Sequence, residues 1–198
     1  MTVAGDSALS LTLPLTSSQR RELRAGQLVE LSGLVYTARD AAHQRLVAAL
    51  DEEGQPVPFD LSDAVIYYCG PAPAPPGRPI GSCGPTTSSR MDPYLPRLLA
   101  EGLAGSIGKG NRSPEVRRAL VRYGAVYFIA VGGAGALAAQ CVEEAHLVAY
   151  EELGPEAVYA LRLRGLPVLV AYDCHGGTVF AGEEPLAPEE IAAAREGP

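Results

Sequence analysis

The sequence predicts an α/β fold built on one mixed sheet or barrel, and three observations carry that reading. Short apolar runs such as QLVELSGLVY, AVIYYC and AVYFIAV have the length and side-chain types of buried strands. Helical spacing and helix-start signals fall between them, but strands and helices do not alternate strictly, which argues for a mixed sheet. The chain has 198 residues, 47% of them hydrophobic, and shows no internal repeat, so it is long enough for one well-buried core.

Residues 10–15 and 27–36 read as strands, the second with Leu28, Leu31 and Val35 as its apolar positions. Thr37 is the predicted N-cap of a helix over 38–50, whose Ala41, Ala42, Leu46 and Leu50 form one stripe. A buried strand follows at 64–69. The next segment, GPAPAPPGRPIGSCGP, holds too many prolines for regular structure. It is short and adjoins a basic region, so the chain is taken as one domain over 1–198, with 181–198 as a C-terminal helical tail. Beyond it come a helix at 91–101, a strand at 104–108, and a helix at 113–123 with Ser113 as N-cap and Pro114 at its first position. A strand at 125–131 leads through a glycine-rich turn into an alanine-rich helix ending at Cys141. Strands at 145–150, 158–164 and 168–172 close the series, the last ending in the turn DCHGG.

The net charge of −7 and pI near 5.0 argue against nucleic acid as a partner. The acidity is uneven: residues 78–122 hold eight basic side chains and three acidic ones. Arg117, Arg118 and Arg122 read as an exposed basic helix face, which leaves a local anion site to the remaining cations, Arg90 and Lys109 among them. The opening MTVAGDSALSLTLPL lacks a basic n-region and a long apolar run, and no window reaches the roughly 20 apolar residues of a membrane span. The expectation is a cytoplasmic protein without a membrane segment. Cys69, Cys83, Cys141 and Cys174 are widely spaced and form neither a disulfide framework nor a metal motif, so they read as reduced thiols with no metal among their ligands.

Four stretches are candidates for chemistry. In GPTTSSRMD four hydroxyls (Thr86, Thr87, Ser88, Ser89) and Arg90 follow a Gly-Pro turn before a helix; helix-start N–H groups, hydroxyls and a guanidinium together suit a carboxylate or phosphate. GKGNR holds the only lysine and the only asparagine of the chain, Lys109 and Asn111, between a strand and a capped helix. Its glycines would let the backbone approach a ligand, and it is no Walker A loop because Gly110 follows the lysine. Arg39, Asp40 and His43 open a helix; Arg39 could hold a carboxylate, or Arg39 and Asp40 could form a surface ion pair with His43 an ordinary helix residue. Gly133-Ala134-Gly135-Ala136-Leu137-Ala138 fits GxGxxA and supports a rival, non-catalytic reading as a dinucleotide- or anion-binding module. Asp173, Cys174 and His175 read as a turn closing a strand.

Taken together, TARDAAH, GPTTSSRMD, GKGNR, a Gly-Gly turn before an Ala-rich segment, and AYEELGPEAVY resemble the C-terminal domain, or separate β subunit, of class I iron–sulfur fumarate hydratases and the related L-tartrate dehydratases. The resemblance runs over about residues 11–180. It implies a swivelling β/β/α domain like the mobile domain of aconitases. It also implies a [4Fe-4S] cluster held by a separate α subunit, in an α2β2 heterotetramer, with the cluster's open iron acting as Lewis acid. A dicarboxylate substrate, fumarate and malate or tartrate, needs several fixed cations. By resemblance Arg39, Arg90 and Lys109 clamp the carboxylates and Thr86 is the catalytic base, with Thr87 as the alternative. Lysine provides a compact point charge where a planar guanidinium is too large.

Overall fold

In the computed structural model, which describes residues 8–52, 55–130 and 135–197, seven strands join in one sheet. In chain order the elements are β1 (Leu9–Leu13), α1 (Ser17–Glu22), β2 (Leu28–Thr37), α2 (Asp40–Asp51), β3 (Val65–Tyr67), α3 (Leu95–Ala100), β4 (Gly105–Gly108), α4 (Pro114–Tyr123), β5 (Val126–Ala130), α5 (Gly135–Gln140), β6 (Val142–Ala149), β7 (Val158–Tyr172) and α6 (Pro188–Glu196), with 3-10 turns at Ser88–Met91 and Glu151–Glu156. Strands β2, β3, β4 and β5 lie parallel in that order, and β7 runs antiparallel to both β5 and β2. These five strands therefore close into a mixed barrel. β1 extends the edge of β2 in parallel, and β6 extends β7 antiparallel.

Side-chain alternation divides the core in two. Val65, Tyr67, Ile107, Val126, Phe128, Leu161 and Val168 point into the barrel. Ile66, Tyr68 and Tyr127 point outward under α2, α3 and α4, where Leu46, Leu95, Leu98, Val116 and Leu120 cover them. Strands buried on both faces read as unbroken apolar runs, which is why AVIYYC and AVYFIAV were legible.

Several boundaries differ from the sequence reading. Residues 158–164 and 168–172 are one strand: Gly165 takes a positive φ of 62° and the chain continues, because β2 pairs along both halves, with Pro167 opposite Glu30. Thr37 is no N-cap. It ends β2, where its hydroxyl bonds Ala157 O (3.3 Å) and the N–H of Tyr159 (3.0 Å), and Arg39 takes the cap position. The helix expected from 91 starts at Leu95, after a 3-10 turn, and β6 begins at Val142, ahead of the expected 145. Helix α1 was not foreseen, although Thr16 and Gln19 form a capping box whose spacing is visible in the sequence. At 113–123 the reading holds: Ser113 Oγ accepts the N–H of Val116 (3.3 Å) and Gly124 ends the helix in the left-handed region. The tail helix α6 packs on α4 through Leu186, Ile191 and Ala194 against Val121. Val131, Gly133 and Ala134 lie outside the described residues, as do residues 1–7 of the N-terminal stretch.

Gly33 marks the bulge in the β2–β7 pairing, with φ of 112°, and a Cβ there would meet Leu13 O at 2.7 Å. Gly33→Ala combines backbone strain with overpacking against β1, so it should lower unfolding free energy by about 2–4 kcal/mol. Denaturant titration checks this, and a change below about 0.5 kcal/mol would show that β1 yields freely at this point.

Candidate active site

The segments that follow β2, β3 and β4 meet at the C-terminal ends of these parallel strands, the end at which α/β sheets place ligands. The stretch after β3 is tied to the strand by Thr86, whose N–H donates to Tyr68 O (2.7 Å). It then runs beside the end of β4 as a short parallel bridge between Thr87 and Lys109. Lys109 N–H donates to Thr86 O (3.3 Å) and Ser88 N–H donates to Lys109 O (3.0 Å). GPTTSSR and GKGNR, apart in sequence, are thus hydrogen-bonded side by side.

This placement corrects two expectations about the two loops, the availability of helix-start N–H groups to an anion and glycine clearance for a ligand. The N–H groups of Thr86 and Ser88 are engaged by the protein and are not available to an anion. Ser88 caps no helix; it is buried, and its hydroxyl bonds the Lys109 N–H (3.1 Å) and the Tyr127 hydroxyl (2.8 Å). Gly108 gives clearance to the protein rather than to a ligand, since a Cβ there would collide with Ser88 Oγ and lie 2.8 Å from the Tyr68 ring. Gly110 has open space around it, and its φ of 77° is what calls for glycine. Asn111 bonds Glu183 through Nδ2 (3.0 Å).

Arg39 and Asp40 do not pair with each other. Arg39 holds an extended N-cap conformation that lays its side chain over Gly70, where it meets Glu156 at 3.0 Å. Asp40 turns instead to Arg90, Nη2 to Oδ2 2.6 Å. Lys109 has no carboxylate within salt-bridge distance among the described residues. Three cations (Arg39, Arg90, Lys109) therefore stand against two carboxylates (Asp40, Glu156) on a face where Thr87, Ser89, Arg90 and Lys109 are exposed. Neither the Thr86 nor the Thr87 hydroxyl has a hydrogen-bond partner among the described residues, and Thr86 is the more buried of the two. An anion could be held here by two oriented guanidiniums and one free ammonium.

Beneath this face lie polar groups that composition did not single out. Arg112 is buried: its Nε donates to Asp92 (2.6 Å), and Nη1 to the Tyr68 hydroxyl (3.2 Å) and Ser106 Oγ (3.4 Å). Burial works against its charge, but Tyr68 and Asp92 outweigh it and the pKa is raised. The other Asp92 oxygen accepts the Ser113 N–H (2.7 Å). The guanidinium also lies over the Tyr68 and Tyr127 rings, 5.3 and 5.0 Å from their centroids. Asp92 and Arg112 are the last residues of GPTTSSRMD and GKGNR, and the strand alternation that sends Tyr68 and Tyr127 outward was the available signal for this layer.

His43 is fully buried, not an ordinary helix-face residue. Its ring Nδ1 lies 2.9 Å from Arg39 O, and its ring packs edge-on to Tyr68. Arg39 O can only accept, so Nδ1 carries the proton. Arg117 is likewise not part of an exposed basic face, since it packs over Tyr172 and donates to Glu184 O (2.5 Å). Asp173 makes the DCHGG turn as expected: its oxygens accept from His175 N, Gly177 N and Ala25 N.

The described part of the GxGxxA segment opens a six-residue helix whose Gly135 packs on the loop before Thr86, with Cys83 N–H donating to Gly135 O (3.2 Å). A Cβ at Gly135 would lie 2.9 Å from Gly84 N, so this glycine serves close packing of the helix on that loop. Burial pushes the Cys69 thiol up and the Cys83 thiol up to about 11, so both are protonated, buried groups in this chain. Among the described residues no three His, Cys, Asp or Glu side chains are placed to hold a metal, and no helix is long and apolar enough to cross a membrane.

The folded pKa of His43 is about 4, below its ordinary 6.5, first through burial and then through the Arg112 charge. Between pH 6.5 and 4 the unfolded chain therefore binds a proton that the folded chain refuses. Stability from this residue is constant above 6.5 and is lost on acidification to 4, by about 3 kcal/mol over that window. His43→Met should flatten this part of the stability–pH profile; a variant profile parallel to that of the unmodified protein would contradict the assignment.

A family model described as Fumarase C-terminus matches residues 4–183. Fumarate hydratase class I, anaerobic, of Escherichia coli K12 is 39% identical over 156 residues, 77% of this chain and 28% of its own length. Fumarate hydratase 1, mitochondrial, of Leishmania major is 37% identical over 156 residues, with the same 77% and 28% coverage. A Methanocaldococcus jannaschii protein provisionally named L(+)-tartrate dehydratase subunit beta is 36% identical over 176 residues, 84% of this chain and 88% of its own length. The chain spans about a third of the length of the fumarate hydratases it matches, and most of the length of the subunit-sized relative.

Proposed function

Because the chain belongs to the Fumarase C-terminus family, we propose that it is the β subunit of an iron–sulfur hydro-lyase that interconverts fumarate and L-malate. The observation that carries this reading is the pairing of GPTTSSR with GKGNR, which gathers a threonine hydroxyl, Arg90 and the free Lys109 on one open face. Its one-sidedness supports a missing half. Three cations against two carboxylates leave a net single positive charge, short of what a dianion needs, so a partner chain supplies further cations and covers the face. The subunit-sized relative, named a subunit beta, supports a separate β chain, which this reading places in an α2β2 assembly, and its name keeps tartrate as the second substrate reading. In this reading the chain is the mobile, aconitase-like swivelling domain whose open face closes onto the partner, and the closed mixed barrel gives that domain a rigid core.

The [4Fe-4S] cluster belongs to the α subunit in this reading, and no step of this chain runs through it. Arg39 and Arg90, held by Glu156 and Asp40, present their remaining N–H groups to the substrate carboxylates. Lys109 adds its point charge. Thr86, anchored at both its N–H and its C=O, takes the proton from the carbon beside one carboxylate. The C–H electron pair forms the C=C bond as the C–O bond at the neighbouring carbon breaks, and the hydroxyl leaves as water with a proton donated from the partner's side. A threonine hydroxyl is a weak base unless its alkoxide is stabilised, and the surrounding cations lower the cost of that charge.

Anaerobic mixing with the cluster-bearing partner should give water addition to fumarate, or dehydration of tartrate, only when both chains are present. Thr86→Ala should reduce kcat by at least about a thousandfold with assembly intact, and near-normal turnover would refute the base assignment. Lys109→Arg keeps the charge but enlarges the group, and should lower kcat/KM by about tenfold or more; full activity would remove the point-charge argument.

A further inference from the structure

Lys109 projects from an exposed loop between two glycines, so the direction of its side chain depends on what fixes the backbone under it. Beside the backbone bonds of Lys109 to Thr86 O and from the Ser88 N–H, four atoms form a chain around it. Lys109 N–H lies 3.1 Å from Ser88 Oγ, Ser88 Oγ lies 2.8 Å from the Tyr127 hydroxyl, and that hydroxyl lies 2.8 Å from Gly110 O. Their protons have one arrangement. A carbonyl only accepts, so the single phenolic proton of Tyr127 goes to Gly110 O. The Ser88 hydroxyl must then donate to the Tyr127 oxygen, and Ser88 Oγ keeps a lone pair for the Lys109 N–H.

The result is a directional chain from Lys109 N–H through Ser88 and Tyr127 to Gly110 C=O, in which each bond polarises the next. It starts on the nitrogen of Lys109 and ends on the oxygen of Gly110, so it brackets the backbone torsions that aim the lysine. Ser88 and Tyr127 are both 0% exposed, so water does not compete for the link between their hydroxyls. The Tyr127 ring is held between the Arg112 guanidinium (5.0 Å) and the Tyr172 ring (5.8 Å), which keeps its hydroxyl in place. Gly108 has no room for a Cβ because Ser88 Oγ occupies that space.

We infer that Ser88 and Tyr127 are positioning residues that aim Lys109, with Gly108 retained so that the Ser88 hydroxyl can reach the Lys109 amide. The inference rests on the reading of Lys109 as a ligand for a substrate carboxylate. It assigns no contact with substrate to either hydroxyl.

The single lysine makes the test direct, because selective 15N-lysine labelling of the full chain yields one backbone amide signal, that of Lys109. Tyr127→Phe keeps the ring and removes the proton that ends the chain. Hydrogen exchange at the Lys109 amide should accelerate about tenfold or more, while in a uniformly 15N-labelled sample barrel amides such as that of Phe128 keep their protection. Exchange at Lys109 that is unchanged, or faster only in step with the barrel, overturns the inference.

In the assembled enzyme Tyr127→Phe should raise KM for the dicarboxylate by at least about fivefold, and should add nothing further in a Lys109→Met background. Equal losses in both backgrounds would mark a merely structural role. If Tyr127→Phe does not fold, Ser88→Ala cuts the chain at its middle and is read by the same two measurements. Inactivity of the unmodified assembly toward both fumarate and tartrate would refute the proposed function, while the exchange measurement still tests the hydroxyl chain.

Discussion

The buried guanidinium of Arg112 is the interaction on which the candidate active site depends. A charge removed from water costs several kcal/mol unless it is paired and hydrogen-bonded, so the groups around it have little freedom to move. Those groups come from every part that matters: Asp92 from the turn after Arg90, Tyr68 from the end of β3, Ser106 from β4, and the ring of Tyr127 from β5. Asp92 in turn accepts the first N–H of the segment that starts α4. One cation thus joins the two motifs to the barrel and to the helix layer, and the exposed face above it inherits that rigidity.

Barrel closure has the complementary role. β7 pairs with β2 along one edge and with β6 and then β5 along the other, so it converts a parallel four-strand series into a ring. All four parallel strands then end on the same side, and the segments after β2, β3 and β4 bring Arg39, Thr86 and Lys109 to one place. The chain reverses through Asp173, whose carboxylate collects three backbone N–H groups, and that turn anchors the far end of β7. Function in this reading lies in loops whose geometry a rigid scaffold sets.

Much of this was legible in the sequence because its physics is local. Strands β3 and β5 announced themselves by β-branched and aromatic content, α4 by Ser113 and Pro114, and the candidates Arg90 and Lys109 by unusual motifs in an acidic chain, while Arg39 and the base role of Thr86 came from the family resemblance. Misreadings arose where a distant partner outweighed a local preference. Gly165 and Pro167 look like a turn, yet two flanking strands hold them in register. Thr37 has the side chain of a helix cap, but Ala157 and Tyr159 engage it in the sheet.

Sequence alone determined the residue types: a lysine in a chain of arginines, four consecutive hydroxyls, and glycines on either side of the lysine. Tertiary structure alone decided whom each of them meets. Arg39 pairs with Glu156 and not with its neighbour Asp40, because an extended N-cap turns the two side chains apart. Gly108 is small for the sake of Ser88, and Ser88 serves Lys109 rather than a helix end. The reason is common to all of these: hydrogen bonds and ion pairs act over about 3–4 Å, and such distances between residues far apart in the chain exist only after the barrel has closed.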